Sequence, residues 1–184
     1  MDSLAGKLLV AAPDLGDPNF SSTVVLVVDH DDEGAFGLVL NRESTVMLAA
    51  AWEETTREPC GRDAPLMLGG PVQGLLSILH DNPAHSEREV VPGVHLARDR
   101  DAVMALVESG EEPLRVFAGY AGWGPDQLEG ELASGSWAIT AATRAFVFSD
   151  DVSTLWQRVS RHIADEHLVR WLGVRHMPDR PADN

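Results

Sequence analysis

The sequence predicts an α/β fold: a single compact domain in which a mixed, largely antiparallel β-sheet is flanked by helices. Strand-length apolar and β-branched runs outnumber helical patterns. Several neighbouring runs are joined by short turns, whereas consecutive parallel strands would need helical crossovers. A chain of 184 residues, 44% of them hydrophobic, can build one domain with a sizeable core. No internal repeat or low-complexity linker divides it, so residues 1–176 are expected to form the domain and 177–184 a polar tail.

The elements follow in order. Residues 7–12 are continuously apolar and stop at Pro13, as a buried strand does. Asp17 and Pro18 suit the cap and first position of a helical turn. Residues 23–28 are almost all β-branched, "DHDDEG" turns the chain, and residues 35–40 return, which predicts an antiparallel hairpin. Residues 46–54 look helical, and 55–65 are polar and proline-bearing, hence a loop. Another strand is expected over 75–80, then a polar, mobile loop or lid over 81–89. Asp99 or Asp101 starts a helix through Val103, Leu106 and Val107 that ends at Gly110. Residues 114–118, 137–142 and 145–148 read as strands. Last comes an amphipathic helix, with Asp150 or Asp151 near its cap and Val152, Leu155, Trp156, Val159 and Ile163 on one face.

Charge narrows the function classes. Lys and Arg number 14 against 29 Asp and Glu, a net charge of −15. Such a surface repels phosphate backbones, so direct nucleic-acid binding is disfavoured. The most basic segment, residues 156–180, carries Arg158, Arg161, Arg170, Arg175 and Arg180, but Asp165, Glu166 and Asp179 interrupt it. With a single cysteine, Cys60, the chain can form no internal disulfide, which fits a reducing compartment. The start lacks a signal peptide's basic region and long apolar core, and no segment reaches membrane-spanning length. The expected location is cytoplasmic.

The chemistry-bearing candidates gather around glycines. In "GYAGWGPDQLEGEL" the glycines permit a sharp turn, Pro125 suits a helix start, and Trp123, Gln127 and Glu131 fall four apart on one stripe. That stripe either lines a pocket, or Trp123 is a core plug and Glu131 ordinary helix surface. "LGGPV", with Gly69, Gly70 and Pro71, is a tight turn or a nest of backbone N–H groups for an anion. It has neither the lysine of a P-loop nor the setting of a dinucleotide fingerprint. Asn41, at a strand end, lines a cleft or caps the next turn.

Three further groupings are weaker. Asp17, Ser22 and His30 have the residue types of a hydrolytic triad, but Ser22 lacks a nucleophile-elbow setting and acids crowd His30. His162 and Glu166 lie one helical turn apart without an HExxH arrangement. Cys60 sits in "EPCGR" between Arg57 and Arg62, which would favour a reactive thiolate.

Taken in order, "DPNFSSTVVLVVDH", "GAFGLVLNR", "LGGPV" and "FAGYAGWGPDQLEGELASGSW" resemble the YqgE/AlgH family of small bacterial proteins, over nearly the whole chain from Leu4 to Trp156. The resemblance implies a compact α/β fold with barrel-like curvature in its sheet, and places the two glycine turns side by side. Part of that family carries a transcriptional-regulator label, to which the charge of this chain lends little support as direct DNA binding. The expected function is small-ligand binding or regulation, with Asn41, Gly69, Gly70, Pro71, Trp123, Gln127 and Glu131 as ligand-binding candidates. No catalytic residue, cofactor or metal is assigned, and the partner is a small molecule or a protein. The alternatives are an enzyme with Glu131 or His30 as general base, and a regulator of transcription acting through a protein partner.

Overall fold

The computed structural model describes residues 3–74, 76–110 and 112–172. In chain order the strands are β1 (Lys7–Ala11), β2 (Val24–Asp31), β3 (Gly34–Val39), β4 (Glu43–Met47), β5 (Pro65–Leu68), β6 (Ser77–His80), β7 (Arg88–Val91), β8 (Val94–Ala97), β9 (Leu114–Ala118), β10 (Ala121–Trp123) and β11 (Trp137–Ala141). The helices are α1 (Leu48–Thr56), α2 (Arg100–Ser109), α3 (Gln127–Ala133), α4 (Arg144–Val147) and α5 (Leu155–Leu172).

The strands form two open sheets. One runs β10-β3-β2-β1-β11 and the other β4-β5-β9-β6-β8-β7. Every pairing is antiparallel except β5 with β9. The mixed, largely antiparallel α/β fold is therefore present, while neither sheet closes into a barrel. Leu8, Val10, Leu26, Leu38 and Leu40 of the first sheet meet Met67, Leu79, Leu96 and Phe117 of the second, with Leu155 and Val159 of α5 completing this layer. Leu9, Val25, Val27 and Val39 point the other way, onto Leu128, Trp123 and Trp137. Both faces of β2 are thus buried, which explains its unbroken apolar run. The outer face of the second sheet packs Ile78, Ala97 and Val116 against Leu48, Trp52, Val103 and Leu106 of α1 and α2.

The two sheets join where the chain turns through glycine. Gly69 N–H donates to the Ala118 carbonyl and the Gly69 carbonyl accepts from Val39 N–H. Val72 and Tyr120 then exchange both backbone hydrogen bonds, at 3.0 and 2.9 Å. At Gly70 the backbone has φ +154, and a Cβ there would fall 2.2 Å from the Tyr120 carbonyl carbon.

Other elements differ from the sequence reading. The hairpin over residues 23–40 forms, with a bulge between Val27 and Asp29. Asp17 caps the expected single turn, its side chain accepting from Asn19 N–H and its carbonyl from Phe20 and Ser21 N–H, and no helix continues from it. Residues 43–47 are a strand and α1 starts later, at Leu48. The expected loop over 81–89 is a 3-10 turn at Pro83–His85 followed by β7, which pairs with β8 around Pro92 and Gly93. Residues 144–147 are helical instead of extended, because the Thr143 side chain accepts from Phe146 N–H and caps them. The α2 reading matches closely: Asp99 accepts from Asp101 and Ala102 N–H, and Gly110 closes the helix at φ 70. The expected 177–184 tail lies outside the described residues.

Candidate functional site

The residues singled out from sequence are held by internal bonds. Asn41 accepts from Val24 N–H at 2.9 Å and donates to the Ser22 carbonyl at 2.9 Å, tying two strand ends together. Gly69 and Gly70 press on residues 118–120, while Pro71 is exposed beside them. Trp123 is 5% exposed, stacks on Phe20 and meets Trp137 edge-on. Glu131 ties the stripe together. Its Oε2 accepts from Trp123 Nε1 at 2.9 Å and Trp137 Nε1 at 2.8 Å, and its Oε1 accepts from Gln127 Nε2 at 2.9 Å. Gln127 Oε1 accepts in turn from Gly124 N–H. Indoles need an acceptor when buried, and one carboxylate serves both.

His30 is similarly engaged. Its Nδ1 accepts from Leu4 N–H at 3.0 Å, and its Nε2 donates to Glu129 Oε1 at 2.8 Å. Ser22 and His30 stand at opposite ends of β2, roughly 25 Å apart at about 3.3 Å per residue, so the triad has no common centre. Glu129 is held below the usual carboxylate range by a backbone N–H and by the His30 bond. His162 and Glu166 form an i,i+4 pair at 3.5 Å, and Glu166 also accepts from Thr140. Arg62, beside Cys60, directs its guanidinium at the Leu106 and Val107 carbonyls and at Glu112. Among the described residues, no group of three or more His, Cys, Asp or Glu is placed to hold a metal ion. No helix among them is long and apolar enough to cross a membrane.

The glycine junction does shape a cleft. Tyr120 leaves the strand crossover with its ring 5.1 Å from that of Phe36. Gly74 lies against the other side, where a Cβ would approach Tyr120 Cε1 to 3.1 Å. The cleft beneath is about 530 Å³ and is lined by Phe36, Ser77, Glu87, Arg98, Asp99 and Tyr120. A second recess of about 250 Å³ shares Phe36, Glu87 and Arg98 and extends along Arg88 and Asp29. None of Asn41, Gly69, Gly70, Pro71, Trp123, Gln127 and Glu131 lines either one.

Arg98 is the cation of the cleft, beside the carboxylates of Glu87 and Asp99. Its guanidinium carbon stands 5.4 Å over the Phe36 ring. Its Nε meets Glu87 at 3.6 Å, and among the described residues its Nη groups make no hydrogen bond. Glu87 is occupied by the backbone N–H groups of Arg98 and Asp99. Arg88 pairs with Asp29 at 2.8 Å, and that hydrogen bond holds the Asp29 carboxyl below its ordinary value. Such a cleft can hold a flat ring on its aromatic wall and an anionic substituent on Arg98. Sequence reasoning missed Phe36, Ser77, Glu87 and Arg98, which come from β3, β6 and the segments flanking β7 and β8 and share no common motif.

A family model described as AlgH-like matches residues 8–167. A UPF0301 protein of Myxococcus xanthus (strain DK1622) is 41% identical over 177 residues, spanning 94% of this chain and 98% of that one. One from Streptomyces coelicolor is 39% identical over 192 residues, spanning 100% and 97%. Among solved structures, the chain is similar to the solution structure of the AlgH protein from Pseudomonas aeruginosa, with TM-score 0.76, 29% identity and 96% of each chain covered. A crystal structure from Corynebacterium diphtheriae, 24% identical over 85% of each chain, has the same fold at TM-score 0.69.

Proposed function

The chain belongs to the AlgH-like family, and we propose that it is a cytoplasmic small-ligand-binding protein with a regulatory output through a protein partner. The ligand is a planar, anionic small molecule held in the cleft beneath Tyr120. One observation carries this: Arg98 presents Nη groups with no hydrogen bond among the described residues, directly above an aromatic wall. Gly69, Gly70 and Pro71 support the site by fixing Tyr120, and the Trp123, Gln127 and Glu131 cluster with Asn41 braces the sheet behind it. The cleft volume falls in the usual range for small-molecule sites.

A thermal-shift screen of aromatic carboxylates and nucleotides tests the reading. A hit on wild type that disappears in Tyr120→Ala and in Arg98→Gln supports it. A hit that survives both, and disappears in Gln127→Ala, moves the site to α3. Silence across the panel at millimolar ligand removes the small-ligand function and leaves the protein partner.

A further inference from the structure

A second cavity lies on the opposite side of the second sheet, and its chemistry differs from that of the cleft. Its walls are two helical stripes. Leu48, Ala51, Trp52 and Thr55 recur at i, i+3, i+4 and i+7 on α1. Arg100, Val103 and Met104 recur at i, i+3 and i+4 on α2. Leu66 and Leu76 floor the space, which measures about 420 Å³. Leu48, Trp52, Leu66 and Val103 are nearly fully buried, while Ala51, Leu76 and Met104 are half-buried. The two helices therefore flank an apolar slot over the sheet.

The mouth is cationic. Arg98 and Arg100 line the cavity, and no carboxylate does so among the described residues. The chain as a whole has 14 basic side chains against 29 acidic ones, so this lining reverses the bias of the molecule. Arg100 makes no ion pair or hydrogen bond among the described residues, and its position at the start of α2 keeps it exposed. An apolar slot with the Arg100 guanidinium at its mouth complements an alkyl chain with an anionic end, the Arg98 guanidinium being turned to Phe36 and Glu87. Its walls offer few polar groups to a peptide backbone, which would need partners for every N–H and C=O.

We propose that the slot between α1 and α2 binds a medium-chain alkyl carboxylate, with the chain along Leu48, Ala51, Trp52 and Met104 and the carboxylate on Arg100. The site is separate from the cleft beneath Tyr120 and does not rest on it; among the described residues Arg98 alone lines both.

Isothermal titration of octanoate, decanoate and dodecanoate, each below its micellar concentration, decides the matter. Affinity is expected to rise about fourfold per methylene until the slot is full. Arg100→Gln should weaken decanoate about tenfold or more, and Ala51→Phe should block the slot while retaining a folded circular-dichroism spectrum. Tyr120→Ala should leave the titration unchanged, which separates failure of this site from failure of the cleft. Equal binding of decyltrimethylammonium, affinity independent of chain length, or undiminished binding in Ala51→Phe would each overturn the proposal. Binding of an acidic helical peptide with none of the three carboxylates would overturn it as well.

Discussion

Glu131 accepts hydrogen bonds from two indoles that are each 5% exposed, and a third from Gln127. Removing it leaves two buried N–H donors unpaired, at a cost of about 1–3 kcal/mol each. Glu131→Ala is therefore expected to lower stability by about 2–4 kcal/mol. Glu131→Gln, whose amide oxygen still accepts from both indoles, should cost about 1 kcal/mol. Urea unfolding would register both as shifts in midpoint at constant slope, and a Glu131→Ala change below about 0.5 kcal/mol would deny the clamp its weight. The spacing of Trp123, Gln127 and Glu131 was legible in the sequence, but the closure of that stripe on itself was not, because Trp137 enters from another strand. His80 makes a second prediction. It is 1% exposed, its Nδ1 accepts from Asn82 N–H, and its Nε2 has no hydrogen-bond partner among the described residues. Burial lowers its pKa below 6.5, reinforced by His95 and His85 and opposed by Asp81. The unfolded chain then takes up the proton first, so His80 favours the fold above pH 6.5 and loses that contribution as the pH falls through its folded value. His80→Gln should flatten the decline of Tm with acidification in scanning calorimetry; an unchanged slope would assign the decline to other groups.

At the scale of elements, the crossover at Gly70 joins the two sheets. A methyl group there meets Tyr120 backbone at 2.2 Å, and backbone cannot give way as a side-chain tip can. Gly70→Ala should cost about 3 kcal/mol or more and loosen Tyr120. The measurement is Tm together with Tyr120 ring resonances, and a native-like value would mean that the sheets can part without penalty. The "LGGPV" turn was visible as a turn because Gly and Pro punctuate the chain, and its docking on residues 118–120 was not, because that contact spans about fifty residues. Local signals served well where they were complete, as in α2 with Asp99 before it and Gly110 after it. They failed where two codes competed. "REVVPGVHLA" carries a hairpin signal in Pro92 and Gly93, but the polar residues 81–89 ahead of it read as a loop. In residues 144–147 an apolar, strand-like composition yielded to the Thr143 cap.

Across the whole molecule, the net charge of −15 matters less than where the positive groups sit. Arg62, Arg88, Arg144 and Arg42 bind Glu112, Asp29, Asp81 and the Pro18 and Ser21 carbonyls. Arg115 and Arg158 converge on Ser149, and burial lowers the Arg115 pKa. These guanidinium groups hold the fold together and form no exposed stripe. Arg98 and Arg100 line the two cavities proposed as binding sites, and both cavities are too small for a duplex. Nucleic-acid affinity grows from many phosphate contacts, each releasing a counterion, and a chain with 14 basic against 29 acidic side chains works against gathering them. Fluorescence anisotropy with a labelled duplex should therefore stay flat as salt is lowered from about 150 to 20 mM, where genuine phosphate binding would strengthen steeply. A linear fall of log affinity with log salt would reveal several phosphate contacts and make DNA, instead of a protein, the proposed partner.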